Sequence, residues 1–485
     1  MHLSEYAKFD ALGLAELVRQ RKVSPEELVR TAQAAIEAVN PQLNAVIGLL
    51  EDEAQATLKR GLPEGPFTGV PFLLKDLVLH LAGVASDSGS RFFQGLVMPH
   101  DTTLMARYRR AGLIPLGRTN TPEMGFNAST EPVLHGPTRN PWNPEFSPGG
   151  SSGGSAAAVS AGIVPVAYAN DGGGSIRIPA AMCGLFGLKP SRGRTPAGPD
   201  VAEGLNGMAI EHVVSRSVRD SAAMLDATVG PDAGDPFIIA PPERPYLDEV
   251  GRAPGRLRIA FSRGSPSGKE VSPECVAAVE DAARLCQSLG HEVVEAMPSY
   301  SHEALHSALV AIWSTGLAGW VHGMSFITGR KPAPELFEPA TWATLQQGMN
   351  IRGVELQGAF ARVNQVARTM GHFFAAHDVL LTPTLPTPPF RLGVLNTSVQ
   401  MTAAEWAERV LAYCVFTMPF NATGQPAMSV PLHWSPQGLP IGVQFVGRMG
   451  DESTLFRLAG QLEQARPWAQ RTPPIHVAAA RGRSA

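Results

Sequence analysis

The chain has 485 residues, of which 44% are hydrophobic and 17% are charged, and its formal net charge is -3. This composition is typical of a soluble globular protein, and no basic cluster indicates nucleic-acid binding. Residues 1–8 lack the pattern of a secretory signal, and the most apolar stretch, 156–169, is too short to cross a membrane, so we expect a cytoplasmic protein without a membrane partner.

The first predicted elements are helical. Apolar residues at helical spacing in 12–18 and 28–39, with Ser24-Pro25 as a helix start, predict a helical N-terminal cap over about 1–60. From Val70 onward, short apolar runs alternate with helical stretches. This pattern predicts the following strands and helices: strands at 70–78, 113–116 and 164–169, and helices at 102–111 and 154–162.

The same alternation continues after a proline-rich connection at 235–254. It predicts strands at 257–261, 291–294, 379–383 and 441–446, and helices at 273–289, 302–324, 339–374 and 453–465. The fold class is therefore α/β, with a mixed central β-sheet covered by helices on both faces. We expect one large domain over 1–485, with its core at about 65–230 and a helical, substrate-facing region at about 300–375.

The cysteines carry no metal-site or disulfide pattern. Because their spacing is irregular, we expect buried free thiols at all four positions, Cys183, Cys275, Cys286 and Cys414.

A glycine-rich loop precedes Ser175. Three consecutive glycines, 172–174, allow the backbone to turn several N–H groups into one concavity, which could stabilise an oxyanion. A serine hydroxyl also needs a base to become a nucleophile. A second glycine-rich segment, 149–155, contains Ser151, although such loops are also common as turns, anion-binding nests and linkers.

Lys75 is the candidate base. It follows the apolar run 70–74, and burial among apolar groups could lower its pKa by the ~3 units or more that a neutral lysine requires. The alternative from local sequence is a solvated lysine at the end of a strand.

Four stretches of the chain carry a family resemblance. The segment from Pro148 to Pro190 closely resembles the amidase signature family, and 69–76, 117–123 and 439–447 are also similar to it. The resemblance thus covers nearly the whole chain and implies the amidase signature fold, amidase activity and a small-molecule amide as substrate. It implies no metal or organic cofactor, and it leaves the oligomeric state open, with a homodimer as one candidate.

The resemblance also implies the catalytic roles. Ser175 is expected to form the acyl-enzyme, Ser151 to relay its proton from a cis peptide bond, and Lys75 to act as the base. Backbone N–H groups are expected to form the oxyanion hole at Gly172, Gly173, Gly174 and Ser175. Three further residues are expected to support the site: Gly150, Asp171 and Arg177.

The chain departs from the family pattern at two positions. Asn170 stands where most members have threonine or serine, and Gly172 stands where a bulkier residue is common. The triple glycine resembles the branch that hydrolyses 6-aminohexanoate cyclic dimer, which suggests activity on cyclic or linear 6-aminohexanoate (nylon) oligomers.

Two other functions remain open at this stage. The glycine-rich segment 149–153 formally fits the nucleophile elbow of α/β-hydrolases, but residues 140–148 before it have loop chemistry and not the required apolar strand. The glutaminase subunit of a tRNA-dependent amidotransferase complex has the same signature, and it would depend on partner subunits.

Overall fold

The fold is seen in a computed structural model, which describes residues 1–479; residues 480–485 of the predicted domain lie outside the described part. One 11-stranded sheet runs through this part of the molecule. Its strands are β1 (Val46–Leu49), β2 (Pro71–Lys75), β3 (Ile114–Thr119), β4 (Val166–Asp171), β5 (Phe186–Lys189), β6 (Ile210–Ser215), β7 (Arg258–Phe261), β8 (Glu292–Glu295), β9 (Val379–Pro383), β10 (Ala427–Trp434) and β11 (Pro440–Gly447).

The sheet is mixed, as the sequence predicts. The strand order is β1-β3-β2-β4-β6-β5-β10-β11-β9-β7-β8. β2 lies parallel to both β3 and β4, and β7 lies parallel to both β8 and β9, whereas the other neighbours are antiparallel. Strands from the first half of the chain therefore fill one side of the sheet, and strands from the second half fill the other.

Helices cover the sheet. They are α1 (Leu3–Tyr6), α2 (Ala11–Arg19), α3 (Pro25–Leu43), α4 (Glu51–Arg60), α5 (Thr103–Arg110), α6 (Gly153–Ser160), α7 (Arg177–Cys183), α8 (Val218–Thr228), α9 (Tyr246–Val250), α10 (Pro273–Ser288), α11 (His302–Thr328), α12 (Pro339–Asn350), α13 (Gly353–Ala376), α14 (Ala403–Tyr413), α15 (Met418–Thr423) and α16 (Glu452–Ala465). The α/β fold class and its helical covering are thus confirmed.

Local sequence explains where several helices begin. The Ser24 hydroxyl accepts from the N–H of Glu27 at 3.2 Å, and Pro25 occupies the first helical position, so α3 begins where the sequence predicts. Thr102 caps α5 in the same way. The predicted helical cap over 1–60 is nevertheless incomplete, because it also contains β1, which pairs with β3 at the sheet edge.

The predicted helical stretch at 339–374 is helical, but it is interrupted. It is two helices, α12 and α13, because Ile351 and Arg352 have extended backbone with ψ of 125° and 152°. Glu355 accepts from the backbone N–H of Arg352 at 2.8 Å, which starts α13 afresh.

α11 packs against α12 and α13. Within residues 1–479 it is the one helix long and apolar enough to cross a membrane by length and composition, and 44% of its most apolar window is buried in the protein. Core helices of soluble proteins meet the same criteria. The four cysteines are buried free thiols, as predicted.

Candidate active site

The candidate site lies where two parallel strands end. Lys75 is the last residue of β2, and Asn170 and Asp171 are the last two of β4. β2 and β4 are parallel neighbours, paired at Leu73 and Ala167, so their carboxyl ends lie side by side. Crevices outside the carboxyl ends of strands are the usual location of ligand sites in α/β sheets.

Lys75 is a buried amine. Lys75 is 1% exposed, and its Nζ donates to Ser151 Oγ at 2.7 Å and to Asn170 Oδ1. Burial lowers the pKa of Lys75 to about 7, although the negative charges of Glu211 and Asp171 oppose this effect. The solvated lysine considered from the sequence is therefore excluded, and a neutral amine is available close to neutral pH.

Ser151 follows a cis peptide bond from Gly150 and lies just before α6. It is 2% exposed. Gly150 leaves no room for a side chain, since a Cβ there would lie 2.6 Å from the carbonyl oxygen of Asn127. Gly125 also lies close to Ser151, because a Cβ at that position would lie 3.3 Å from Ser151 Oγ. Glycines thus allow the backbone to close around this hydroxyl.

Ser175 lies in the loop between β4 and α7 and is 7% exposed. The N–H of Ser152 donates to the carbonyl oxygen of Ser175 at 3.3 Å, which ties together the two segments that carry the serines. Within residues 1–479 the Ser175 hydroxyl makes no hydrogen bond, whereas Ser151 is bonded directly to Lys75. The structure thus brings Lys75 and Ser151 into contact and places Ser175 on the adjoining segment.

Asp171 and Arg177 form a buried ion pair beneath the loop. Arg177 donates to the Asp171 carboxylate through Nε and Nη2, both at 2.9 Å, and both side chains are fully buried. The same carboxylate accepts from the N–H groups of Gly174 at 2.7 Å and Ile176 at 3.1 Å. Burial opposes ionisation, but Arg177 and Asn421 outweigh it and hold the pKa of Asp171 well below its usual range. This geometry is that of a brace for the loop.

The loop geometry narrows the predicted oxyanion hole. The N–H of Gly174 is engaged by Asp171, so it is not available for a substrate oxygen. In the described part of the chain, the N–H groups of the other three predicted donors, Gly172, Gly173 and Ser175, donate no hydrogen bond. Gly174 is therefore not a free donor, and a role of the other three N–H groups in an oxyanion hole remains a prediction.

A further residue fixes this loop from the far half of the chain. The Thr417 hydroxyl donates to the carbonyl oxygen of Gly173 at 2.6 Å. Gly174 has φ of +139°, and a Cβ there would lie 2.4 Å from Thr417 Oγ1, so this position requires glycine.

Several residues of the site were not assigned a role from the sequence. Asn170 was noticed only as a departure from the family pattern, yet it accepts from Lys75. Arg177 also donates to Thr417 O at 2.9 Å, Gln444 Oε1 at 2.8 Å and Asn421 Oδ1 at 2.6 Å. Gln444 gave one usable signal, because it is a lone amide in an otherwise apolar strand.

Two aromatic side chains, Trp313 and Phe126, lie close to the glycines before Ser175. A Cβ at Gly173 would lie 2.9 Å from the Trp313 ring, and the rings of Trp313 and Phe126 are 4.8 Å apart. Trp313 belongs to α11, so the helical region predicted at 300–375 reaches the loop before Ser175. A role of that region in facing substrate remains a prediction.

One group of side chains could in principle hold a metal. Among the described residues, Asp76, Asp87 and His135 place one ligand atom each within 4.8 Å of one another. The guanidinium of Arg118, however, lies 3.0 Å from Asp76 and 3.7 Å from Asp87. A positive charge is thus already built into this cluster, which does not favour a metal ion there.

The chain is similar to known proteins over most of its length. The family model described as Amidase matches residues 27–456. The 6-aminohexanoate-cyclic-dimer hydrolase of Paenarthrobacter ureafaciens is 38% identical over 477 residues, or 96% of each chain. A structure of 6-aminohexanoate cyclic dimer hydrolase complexed with substrate has a TM-score of 0.91 at 37% identity and covers 97% of this chain and 99% of that one. A bacterial aryl acylamidase has a TM-score of 0.86 at 28% identity, with 98% and 99% covered.

Proposed function

Because the chain belongs to the amidase family and is a hydrolase of carbon–nitrogen bonds other than peptide bonds, we propose that it cleaves its amide through an acyl-enzyme on Ser175. The observation that carries this proposal is the 2.7 Å contact between the buried Lys75 amine and Ser151. That contact supplies a base and a hydroxyl relay next to the loop of Ser175. A proton relay of this kind contributes about 10²–10⁴-fold to a rate.

The first step is proton transfer and attack. Neutral Lys75 takes the proton of Ser151, Ser151 takes the proton of Ser175, and Ser175 Oγ bonds to the amide carbonyl carbon. Hydrogen bonds at an active site commonly tighten when substrate binds, which is how Ser175 would come to donate to Ser151. The carbonyl oxygen becomes an oxyanion, held by the N–H groups of Gly172, Gly173 and Ser175.

The second step is collapse of the tetrahedral intermediate. The carbon–nitrogen bond breaks, and the leaving nitrogen receives a proton back from Lys75 through Ser151. Water then attacks the acyl-enzyme with the same relay as base. The carboxylic acid is released, and the Ser175 hydroxyl is regenerated. The Asp171–Arg177 pair keeps the loop in place throughout, without touching the reacting atoms.

The proposed substrate class rests on the relatives. We propose activity on cyclic or linear 6-aminohexanoate oligomers, because relatives named as hydrolases of 6-aminohexanoate cyclic dimer are 37–38% identical over nearly the full length. Gly172 has no side chain, and a Cβ there would lie 3.2 Å from Leu205 and 3.9 Å from Trp313, so these two side chains border the loop at this position.

The acyl-enzyme is tested by labelling with a fluorophosphonate, which reacts with activated serines. We expect the parent protein to be labelled and the Ser175→Ala variant to lose both label and amide hydrolysis, while circular dichroism shows an unchanged fold. Ser160→Ala is the matched control, because Ser160 is also buried and donates to the Cys183 carbonyl at 2.8 Å, away from Lys75. Labelling that persists in Ser175→Ala would contradict the proposal.

The substrate class is tested separately, with 6-aminohexanoate cyclic dimer, linear oligomers, simple aliphatic amides and aryl amides. Release of new amine or carboxyl ends from the 6-aminohexanoate compounds is expected. Hydrolysis confined to other amides would refute the substrate class and leave the acyl-enzyme proposal standing. Glutaminase activity that requires two co-purified subunits would favour the amidotransferase alternative.

A further inference from the structure

A line of polar contacts leads from the Lys75 amine to a second buried carboxyl group. Lys75 Nζ donates to Asn170 Oδ1, Asn170 Nδ2 lies 3.2 Å from the Tyr168 hydroxyl, and that hydroxyl donates to the carboxylate of Glu211. Tyr168 and Asn170 alternate in β4 and so share one face of the sheet. Glu211 lies opposite Asn170 in the neighbouring strand β6. The register of two strands thus fixes the whole line.

The buried carboxyl groups of the described residues differ in their partners. Asp171 contacts Arg177, and Glu452 contacts Arg194, both at 2.9 Å. Glu211 makes no salt bridge in the described residues, and neither do three other buried carboxyl groups, Glu123, Asp220 and Glu338. Glu211 is only 9% exposed, and Tyr168 is fully buried. Buried carboxylates are normally paired with a cation. The cation that acts on Glu211 is Lys75, which makes no salt bridge with it, and the neutral side chains of Tyr168 and Asn170 interact with the Glu211 carboxyl group.

Few other charged groups act on this pair. On α5, the hydroxyl of Tyr108 points to the His212 carbonyl at 3.4 Å. His212 follows Glu211 in β6, but its ring bonds to Ser221 at 2.8 Å, and burial lowers the pKa of His212 to about 3, so it is neutral. Asp171 also acts on Lys75, but it is committed to Arg177.

We propose that Glu211 is a positioning residue that sets the proton affinity of the Lys75 amine, with Tyr168 and Asn170 holding its carboxylate at a fixed separation. This inference rests on the proposed role of Lys75 as the base. Burial alone would make the amine neutral but a poor proton acceptor, and a base works best when its pKa is close to the working pH. A carboxylate held near the amine but out of contact with it raises the basicity of the amine without locking it into an ion pair.

Glu211 lines a narrow pocket that is partly open to solvent, together with Tyr168, Thr195 and Ala209. Burial raises the pKa of Glu211 to about 7, while Tyr168 and Lys75 oppose this effect.

The test follows the rate of fluorophosphonate labelling of Ser175 between pH 5 and pH 10, which needs no knowledge of the natural substrate. In Glu211→Gln the negative charge is lost, so the pKa of Lys75 falls and the rising limb of the profile moves to lower pH. We expect a shift of about one pH unit, together with a plateau about tenfold lower because the base is weaker.

Two tyrosine variants complete the experiment. Tyr168→Phe removes the hydroxyl that donates to Glu211, and this loss favours the neutral form of Glu211. The rising limb of the pH profile is therefore expected to move to lower pH, by a smaller amount than in Glu211→Gln. Tyr108→Phe is the matched control, because this buried tyrosine lies in the same cluster, with its ring 6.2 Å from that of Tyr168, but its hydroxyl does not contact Glu211. Its limb is expected to stay in place.

The outcomes separate this inference from the proposed function. If the rising limb of the pH profile of Glu211→Gln stays in place or moves to higher pH, the inference is overturned. This holds even if the labelling rate falls, because a lower rate without the expected shift indicates only a structural role. If Glu211→Gln does not fold, Tyr168→Phe carries the same test. Full labelling of Lys75→Ala, in contrast, would overturn the proposed function itself, whatever Glu211 does.

Discussion

Two buried cationic side chains, Arg177 and Lys75, lie near the carboxyl ends of β4 and β2, but they have different partners and different protonation behaviour. Arg177 contacts the carboxylate of Asp171 directly and donates to three further oxygens. Lys75 contacts only a hydroxyl and an amide oxygen, and its pKa falls to about 7. Burial is nearly the same for both, so the difference comes from the chemistry of their partners.

The comparison separates bracing from proton transfer. A guanidinium stays charged at any working pH, and a carboxylate in contact stabilises that charge, so the Asp171–Arg177 region is static. An amine shifts its pKa readily when it is desolvated. Neutral contacts and a more distant carboxylate leave Lys75 free to gain and lose a proton, which the proposed relay requires.

The largest effect is expected when a permanently charged guanidinium, like that of Arg177, is placed at position 75. Lys75→Arg replaces an amine that can be neutral with a guanidinium that stays charged, so kcat/KM is expected to fall by about 10⁴-fold, as it should in Lys75→Ala. Lys59→Arg on exposed α4 serves as the control and should leave kcat/KM unchanged. Retained activity in Lys75→Arg would break the distinction between the two cations.

The next effect concerns the brace. Asp171→Asn leaves Arg177 buried without its carboxylate, which is expected to lower the free energy of unfolding by about 3–5 kcal/mol in a urea titration. Glu295→Gln is the control, because its ion pair with Arg263 is exposed and should contribute less than about 1 kcal/mol. Equal losses in both variants would show that burial is not what makes the brace important.

The cost of keeping Lys75 neutral should appear in the pH dependence of stability. Its folded pKa of about 7 lies below its ordinary value of 10.5, so the unfolded chain binds the proton more tightly between these values, and stability is lost as pH falls through this window. Lys75→Met removes this effect. Relative to the parent, its free energy of unfolding is expected to rise by about 3 kcal/mol from pH 10 to pH 7. A difference that does not vary with pH would contradict a depressed pKa.

The smallest effect is expected at the loop anchor. Thr417→Val removes the hydroxyl that holds Gly173, which should cost about 1 kcal/mol of stability and lower kcat several-fold without moving the pH profile. Thr228→Val is the control, since it loses a comparable buried hydroxyl bond within α8, far from the loop. It should lose stability but not kcat. A moved pH limb in Thr417→Val would mean that bracing and proton affinity are not separate.

Local patterns predicted much of the fold and brought the central residues of the site to attention. Apolar periodicity located β9 at its observed bounds and α10 to within one residue, and the glycine-rich motifs drew attention to Ser151 and Ser175. The break between α12 and α13 was missed, because apolar residues continue at helical spacing across Ile351 and the nearby Asn350 and Gly353 were not used as helix-end signals.

The supporting residues could not be predicted, because they come from distant parts of the chain. Thr417 reaches Gly173 over 244 positions, and Gln444 reaches Arg177 over 267. Tyr168 and Glu211 are 43 positions apart, and only the register between β4 and β6 places them together. Single positions without a motif carry no local sign of such contacts.

The three oxygen contacts that Arg177 makes to the second half of the chain also bear on how activity arises during synthesis. All three proposed catalytic side chains are translated before residue 180, yet their loop is secured by Thr417, Asn421 and Gln444. We therefore expect a nascent or truncated N-terminal half of the chain to be catalytically inactive. A cut in the proline-rich connection at 235–254 should be harmless while the two pieces stay associated, so separately expressed halves should regain hydrolysis on mixing.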